Sequence, residues 1–208
     1  MKVELGITGL LLMYVGNLEE YQGIDLLLDS FAVVHSKLAV ADLVIIGGQS
    51  GDIEKYGKKS RQLGIANRVH FLGPKPVEHL GHYLSQADIL VSPRLKGNNT
   101  PMKLYSYLHS GKPVLATRLP THTQLIDDGV AMLVEPHVEP FSGAIIRLME
   151  DTKLRTELGT AGRQLIEEKF TYGIFREKLN DVFDWLETEL KQGPKQIRSS
   201  VTSSKLTH

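Results

Sequence analysis

Between Ser92 and Lys103 the chain reads SPRLKGNNTPMK, and these residues could hold an anion. Arg94, Lys96 and Lys103 bring cations, Asn98 and Asn99 carboxamides, and Thr100 a hydroxyl. The pair Thr100-Pro101 reads as the N-cap and first residue of a helix, because threonine accepts from free amides and proline has no amide to waste. Free amides at a helix start, with three cations around them, make a site for a diphosphate. The plainer reading of the same residues is a capped helix with solvated charges.

The elements that must position this loop are legible as apolar runs separated by helical stretches. Leu10–Val15 (LLLMYV) reads as a buried strand, and residues 24–38 repeat apolar side chains at helical spacing. Leu43–Ile46 follows as strand two, with a polar helix from Asp52 to Leu63. Val69–Leu72 is strand three, Val77–Gln86 a helix, Ile89–Val91 strand four and Met102–His109 a helix. Val114–Ala116, a short helix over Thr121–Ile126, and Met132–Val134 complete the alternation. Strands spaced in this way predict a doubly wound, Rossmann-like parallel α/β sheet of about six strands. Three helices then succeed one another at residues 138–150, 152–168 and 174–191. The expected organisation is a lead-in over residues 1–9, one domain over 10–191, and a disordered tail over 192–208, where Gly, Pro, Ser, Thr and Lys take over.

Open parallel sheets bind ligands beyond the carboxyl ends of their strands, so the loops after strands one to four are the candidates. Three carry glycine: Gly16-Asn17 with Gly23, the run Gly47-Gly48-Gln49-Ser50-Gly51, and Gly73-Pro74-Lys75. Glycine there serves either close ligand approach or a tight turn. No GxGxxG or GxxxxGK[ST] is present, so nicotinamide and P-loop readings find no support. The 24 basic and 24 acidic residues cancel, which argues against nucleic acid or an anionic membrane surface as partner. Zero cysteines exclude disulfides and thiolate metal sites and suit a reducing, cytoplasmic setting. No run reaches the ~20 apolar residues of a membrane helix. His79 and His82 share a helix face without an acidic or thiol partner and read as a surface pair, while His122 is a candidate neighbour of the cleft. Glu19-Glu20 and Asp127-Asp128 read as solvated loop charges.

Several segments occur in a telling order: YVGNL…QGIDLL from Tyr14, LVIIGG from Leu43, VHFLG from Val69, L…ADILVSP from Leu84, and SGKPVLAT from Ser110. Over about residues 10–190 this succession resembles the C-terminal domain of group 1 (family 4) retaining glycosyltransferases. The resemblance implies one half of a GT-B fold, the half that holds a nucleotide-diphosphate sugar. It further implies transfer of the sugar, hexosyltransferase-like, with retention of configuration and without a bound metal. The acceptor and some catalytic groups come from an N-terminal domain, which is expected to be missing here, as would any membrane contact. The isolated domain is then expected to be inactive.

Carried over residue by residue, the resemblance implies donor contacts at Gly16, Asn17, Gln22, Gly23, Gly48, Gly73, Arg94, Lys96, Asn98, Asn99, Thr100, Lys103 and Ser106. The family's basic pair after strand one is replaced by Asn17 and Gln22, and its two glutamates around the strand-four helix by Asn98 and Ser106. The stretch from Asn98 to Tyr107 is closer to a subgroup with NTP-x-K-x-YSYL. Charge for the diphosphate is then expected from Arg94, Lys96 and Lys103. The alternative reading, favoured by the missing glutamates, is a nucleotide-sugar binding or regulatory module without turnover. A non-transferring relative such as a sugar-nucleotide epimerase is a third, against which the NTP-to-YSYL helix start argues.

Overall fold

The computed structural model describes residues 1–38 and 41–191, so the expected tail at 192–208 lies outside the described residues. Six strands form one parallel sheet: β1 (Leu10–Val15), β2 (Ala41–Ile46), β3 (Val69–Gly73), β4 (Ile89–Ser92), β5 (Val114–Thr117) and β6 (Met132–Val134), in the order β3-β2-β1-β4-β5-β6. Chain order runs outward from β1 to one edge, returns to its other side at β4, and runs outward again. The switch therefore lies between β1 and β4, as in the doubly wound folds that the alternation of runs predicts.

Strands of such a sheet are covered on both faces, and the side-chain pattern obeys this. Leu12 and Tyr14 of β1 enter one core, with Leu11 and Met13 in the other. The same alternation puts Ile89 and Val91 of β4 on the first face and Leu90 on the second. Helices α1 (Ile24–Lys37), α2 (Ser50–Gln62) and α6 (Val138–Glu150) supply the first core with Phe31, Tyr56 and Phe141. The second takes Leu84 from α3 (Leu80–Ser85), Tyr107 from α4 (Lys103–His109) and Ile166 from α7 (Thr152–Lys169). A four-residue helix, α5 (Pro120–Thr123), follows β5.

Two local expectations are corrected. The helix over Val77–Gln86 is a 3-10 turn at Val77–His79 followed by a shorter α3. Nor does Thr100 cap α4: that helix begins at Lys103, with Met102 at its N-cap and no side-chain cap bond. A turn intervenes, in which the Leu104 amide donates to the Pro101 carbonyl at 3.0 Å, and the Thr100 hydroxyl accepts from Gln124 instead.

The chain divides into two compact units, Met1–Lys169 and one that begins at Phe170. The described part of the second, residues 170–191, is mostly α8 (Tyr172–Lys191), which carries Phe175, Leu179, Val182, Phe183, Trp185 and Leu186 exposed. Among the described residues no helix is long and apolar enough to cross a membrane.

Candidate active site

The loops after β1 and β4 meet at the switch point and are tied together. The Leu95 amide donates to the Tyr21 carbonyl at 2.8 Å. At Gly23 (φ +76°) a side chain would drive its Cβ to 1.9 Å from the Pro93 carbonyl oxygen, so this glycine serves loop-to-loop contact. Between the loops opens a cavity of about 300 Å³, lined by Gly16, Asn17, Tyr21, Gln22, Arg94, Asn99, Pro101, Met102 and Lys103.

Lys103 is the cation aimed into this space. Its ammonium donates to the Tyr14 hydroxyl at 2.9 Å and to Gln22 Oε1 at 3.3 Å, and it stands 4.0 Å from the centre of the Tyr14 ring. Tyr14 is buried and donates in turn to the Asn17 carbonyl at 2.6 Å. Burial pushes the Tyr14 hydroxyl well above its ordinary value, so it stays protonated. Gly16 makes room: a Cβ there would lie 2.7 Å from the Lys103 ammonium, and its φ of +149° suits glycine. One turn along α4, the Tyr107 hydroxyl accepts from the Val15 amide at 2.7 Å, clasping the helix to the end of β1.

Arg94 plays another part. Although it lines the cavity, its guanidinium bends back to donate to the Lys96 carbonyl at 2.6 Å and to Asn99 through both backbone and side chain. It also stacks 5.2 Å from the Tyr21 ring. The charge thus braces its own loop while adding to the positive field.

Of the other residues expected at the donor site, Gly48 packs against Leu18 and Gly73 ends β3, where its carbonyl accepts from the Gly47 amide. Lys96 lines a neighbouring cavity with Glu20, Tyr21 and Leu95, and Asn98 is exposed on the loop. Ser106 opens into a separate hollow of about 240 Å³ beside Leu80, Gly81, His109 and Ser110. Gly16, Asn17, Gln22, Arg94, Asn99 and Lys103 are therefore brought together, and Thr100 sits behind them on Gln124. Tyr14, Tyr21, Pro101 and Met102 were not foreseen. Tyr14 had one signal: a hydroxyl-bearing ring next to last in an otherwise aliphatic strand.

Beneath the site, His122 is fully buried. Its Nδ1 lies 2.6 Å from the Thr117 carbonyl, which fixes the proton there, so Nε2 accepts from the Ser92 hydroxyl at 3.0 Å. Thr117 in turn donates its hydroxyl to the Arg94 carbonyl at 2.5 Å. Burial pulls His122 down to about 4, and this neutral imidazole supports the β4 loop from below. Among the described residues no group of three or more His, Cys, Asp or Glu is placed to hold a metal ion.

The family model "Glycosyl transferases group 1" matches residues 3–165. A D-inositol 3-phosphate glycosyltransferase of Corynebacterium diphtheriae is 31% identical over a 178-residue alignment that covers 82% of this chain and 41% of that protein. Its namesake in Acidothermus cellulolyticus is 31% identical over a 168-residue alignment that covers 76% of this chain and 37% of the relative. The chain thus spans less than half the length of these curated relatives. Among solved structures, the Anabaena protein HepE in complex with UDP superposes with a TM-score of 0.79 at 18% identity, covering 88% of this chain and 51% of that one. The C-terminal domain of the group 1 protein LpcC from Francisella tularensis gives 0.72 at 21% identity, covering 82% of this chain and 91% of that domain. At such identities the likeness is one of fold.

Proposed function

The chain belongs to the group 1 glycosyl transferases, and from that premise we propose that it holds the nucleotide-diphosphate sugar for a retaining glycosyl transfer. In this reading it is the donor half of a cytoplasmic GT-B enzyme. A partner half brings the acceptor, the transferred sugar is a hexose, and this domain alone turns nothing over. The observation that carries it is the Lys103 cavity between the β1 and β4 loops, at the switch of strand order. The fold neighbour HepE was solved with UDP, and with UDP and glucose, which agrees with a diphosphate here.

Chemically, negative charge grows on the diphosphate as the sugar leaves. A cation already in place stabilises that charge without reorganisation. Lys103 meets the requirement, since its stem runs from a helix and its head is held by Tyr14 and Gln22. Arg94 adds field, and Asn17 and Asn99 offer neutral groups to sugar hydroxyls. No step in this scheme calls on a metal ion.

Titration with UDP, GDP and ADP tests the reading: one of them is expected to bind below millimolar concentration, equally well with and without EDTA. Failure of all three at millimolar concentration would overturn it. A second reading, a binding module without turnover, is favoured by the exposed Asn98 and the distant Ser106 hollow, where the family has glutamates. A product assay on the protein that includes the partner half separates the two: transfer excludes the module.

A further inference from the structure

Lys103 differs from an ordinary phosphate-binding lysine in what surrounds it. The groups facing its ammonium are Tyr14 from β1, Tyr21 and Gln22 from the segment after β1, and Arg94 from the β4–α4 loop. Tyr107 lies on its own helix, and His122 of α5, neutral, lies within reach of the Lys103 charge. Tyrosines, an amide, a neutral imidazole and a guanidinium make up this set; none is a carboxylate. Glu20 faces the neighbouring cavity with Lys96. The two bonds the amine makes are to a phenol oxygen and an amide oxygen, and both can be kept by a neutral amine. The missing side chain at Gly16 reserves space directly beside the amine.

We propose that the Lys103 amine takes up a proton from solvent when a diphosphate enters this cavity, so that donor binding and proton uptake are one event at one residue. The proposal rests on the donor-site reading above. The step balances simply: one N–H bond forms, the proton comes from buffer or water, and the added charge is matched by a phosphate oxygen within reach. Removal from water, followed by the nearby Arg94 cation, pulls the free amine down to about 7, where it is shared between charged and neutral forms. A diphosphate reverses this balance by supplying the counter-charge the cavity lacks. Donor affinity therefore falls with alkalinity, by about tenfold per pH unit above about 7.5, as one linked proton requires.

Calorimetric titration of UDP into the full 208-residue chain, in buffers of different ionisation heat, reads the uptake directly. Uptake approaching one proton per UDP is expected at about pH 8 and little at about pH 6. Lys103→Arg, whose charge is permanent, is expected to abolish the uptake. Binding without uptake in the native chain, or uptake unchanged in Lys103→Arg, would overturn the proposal. NMR titration of labelled lysine amines in the ligand-free chain, then with saturating inorganic pyrophosphate, decides it even if UDP does not bind. A Lys103 midpoint near 7 that rises with pyrophosphate supports the coupling. A midpoint at the ordinary lysine value, or one that pyrophosphate leaves unmoved, defeats it. Absence of UDP binding alongside a responsive Lys103 defeats the nucleotide reading alone.

Discussion

His122 below β4 and Lys103 above it are both nitrogen bases drawn toward neutrality by burial, yet they do different work. His122 has a partner at each ring nitrogen, Thr117 and Ser92, and no route to a ligand. Lys103 has neutral acceptors on one side and an open cavity on the other. The contrast teaches that a shifted titration does not by itself mark a site. A base that is shifted and fully satisfied is scaffold, whereas one that is shifted and left without a counter-charge is poised for a ligand.

That comparison can be broken most sharply at its structural end. His122→Ala orphans the Ser92 hydroxyl and opens a void, and is expected to cost about 3 kcal/mol in urea unfolding at neutral pH. The folded imidazole titrates near 4 and the unfolded one near 6.5, so its stabilisation is complete above 6.5 and fades as pH falls toward 4. A loss of only a few tenths of a kcal/mol would make His122 dispensable and erase the contrast.

At the other end, Lys103→Ala is expected to weaken UDP binding by about 2 kcal/mol, the scale of a charge-assisted contact. Unchanged affinity would place the phosphates elsewhere. Stability should move the opposite way. The folded amine titrates near 7 and the unfolded one near 10.5, so the folded chain bears a penalty at neutral pH that lifts as pH rises between those values. Lys103→Met is accordingly expected to gain about 1–2 kcal/mol at pH 7 by chemical denaturation and less by pH 10. A variant less stable than the native chain at pH 7 would mean that the ammonium is already well solvated.

The smallest effect belongs to Arg94, which acts through its loop. Arg94→Ala should weaken UDP by about 1 kcal/mol, and Arg94→Lys should not restore it, because a single ammonium cannot hold Lys96 and Asn99 together. Full recovery with lysine would reassign Arg94 to direct phosphate contact.

Much of this was legible in the chain and some was not, for definable reasons. The six strands could be read because each is built on an apolar run closed by glycine or polar residues; their order could not, because crossover handedness leaves open which neighbour a strand joins. The Ser92–Lys103 loop stood out by composition alone. Which of its cations is free to face the cavity did not, because Arg94 is taken up by bonds to its own loop and Lys96 by a different hollow, and neither choice has a sequence pattern. The late start of α4 was hidden because Thr-Pro carries the usual start signal while the Thr100 hydroxyl goes to Gln124, a partner twenty-four positions away. Glycine spacing likewise could not tell Gly23, spent on Pro93, from Gly16, which clears space for an ammonium.

The clasp between Tyr107 and Val15 has a consequence for how such a domain diversifies. It welds the helix bearing Lys103 to the central strand, so in the proposed reading the anchor for the diphosphate belongs to the chassis. Residues 96–99, exposed and tied to Arg94 through Lys96 and Asn99, form in the same reading an interchangeable rim. Under that proposal, mutation explores new sugars along the rim without moving the charge that all of them need.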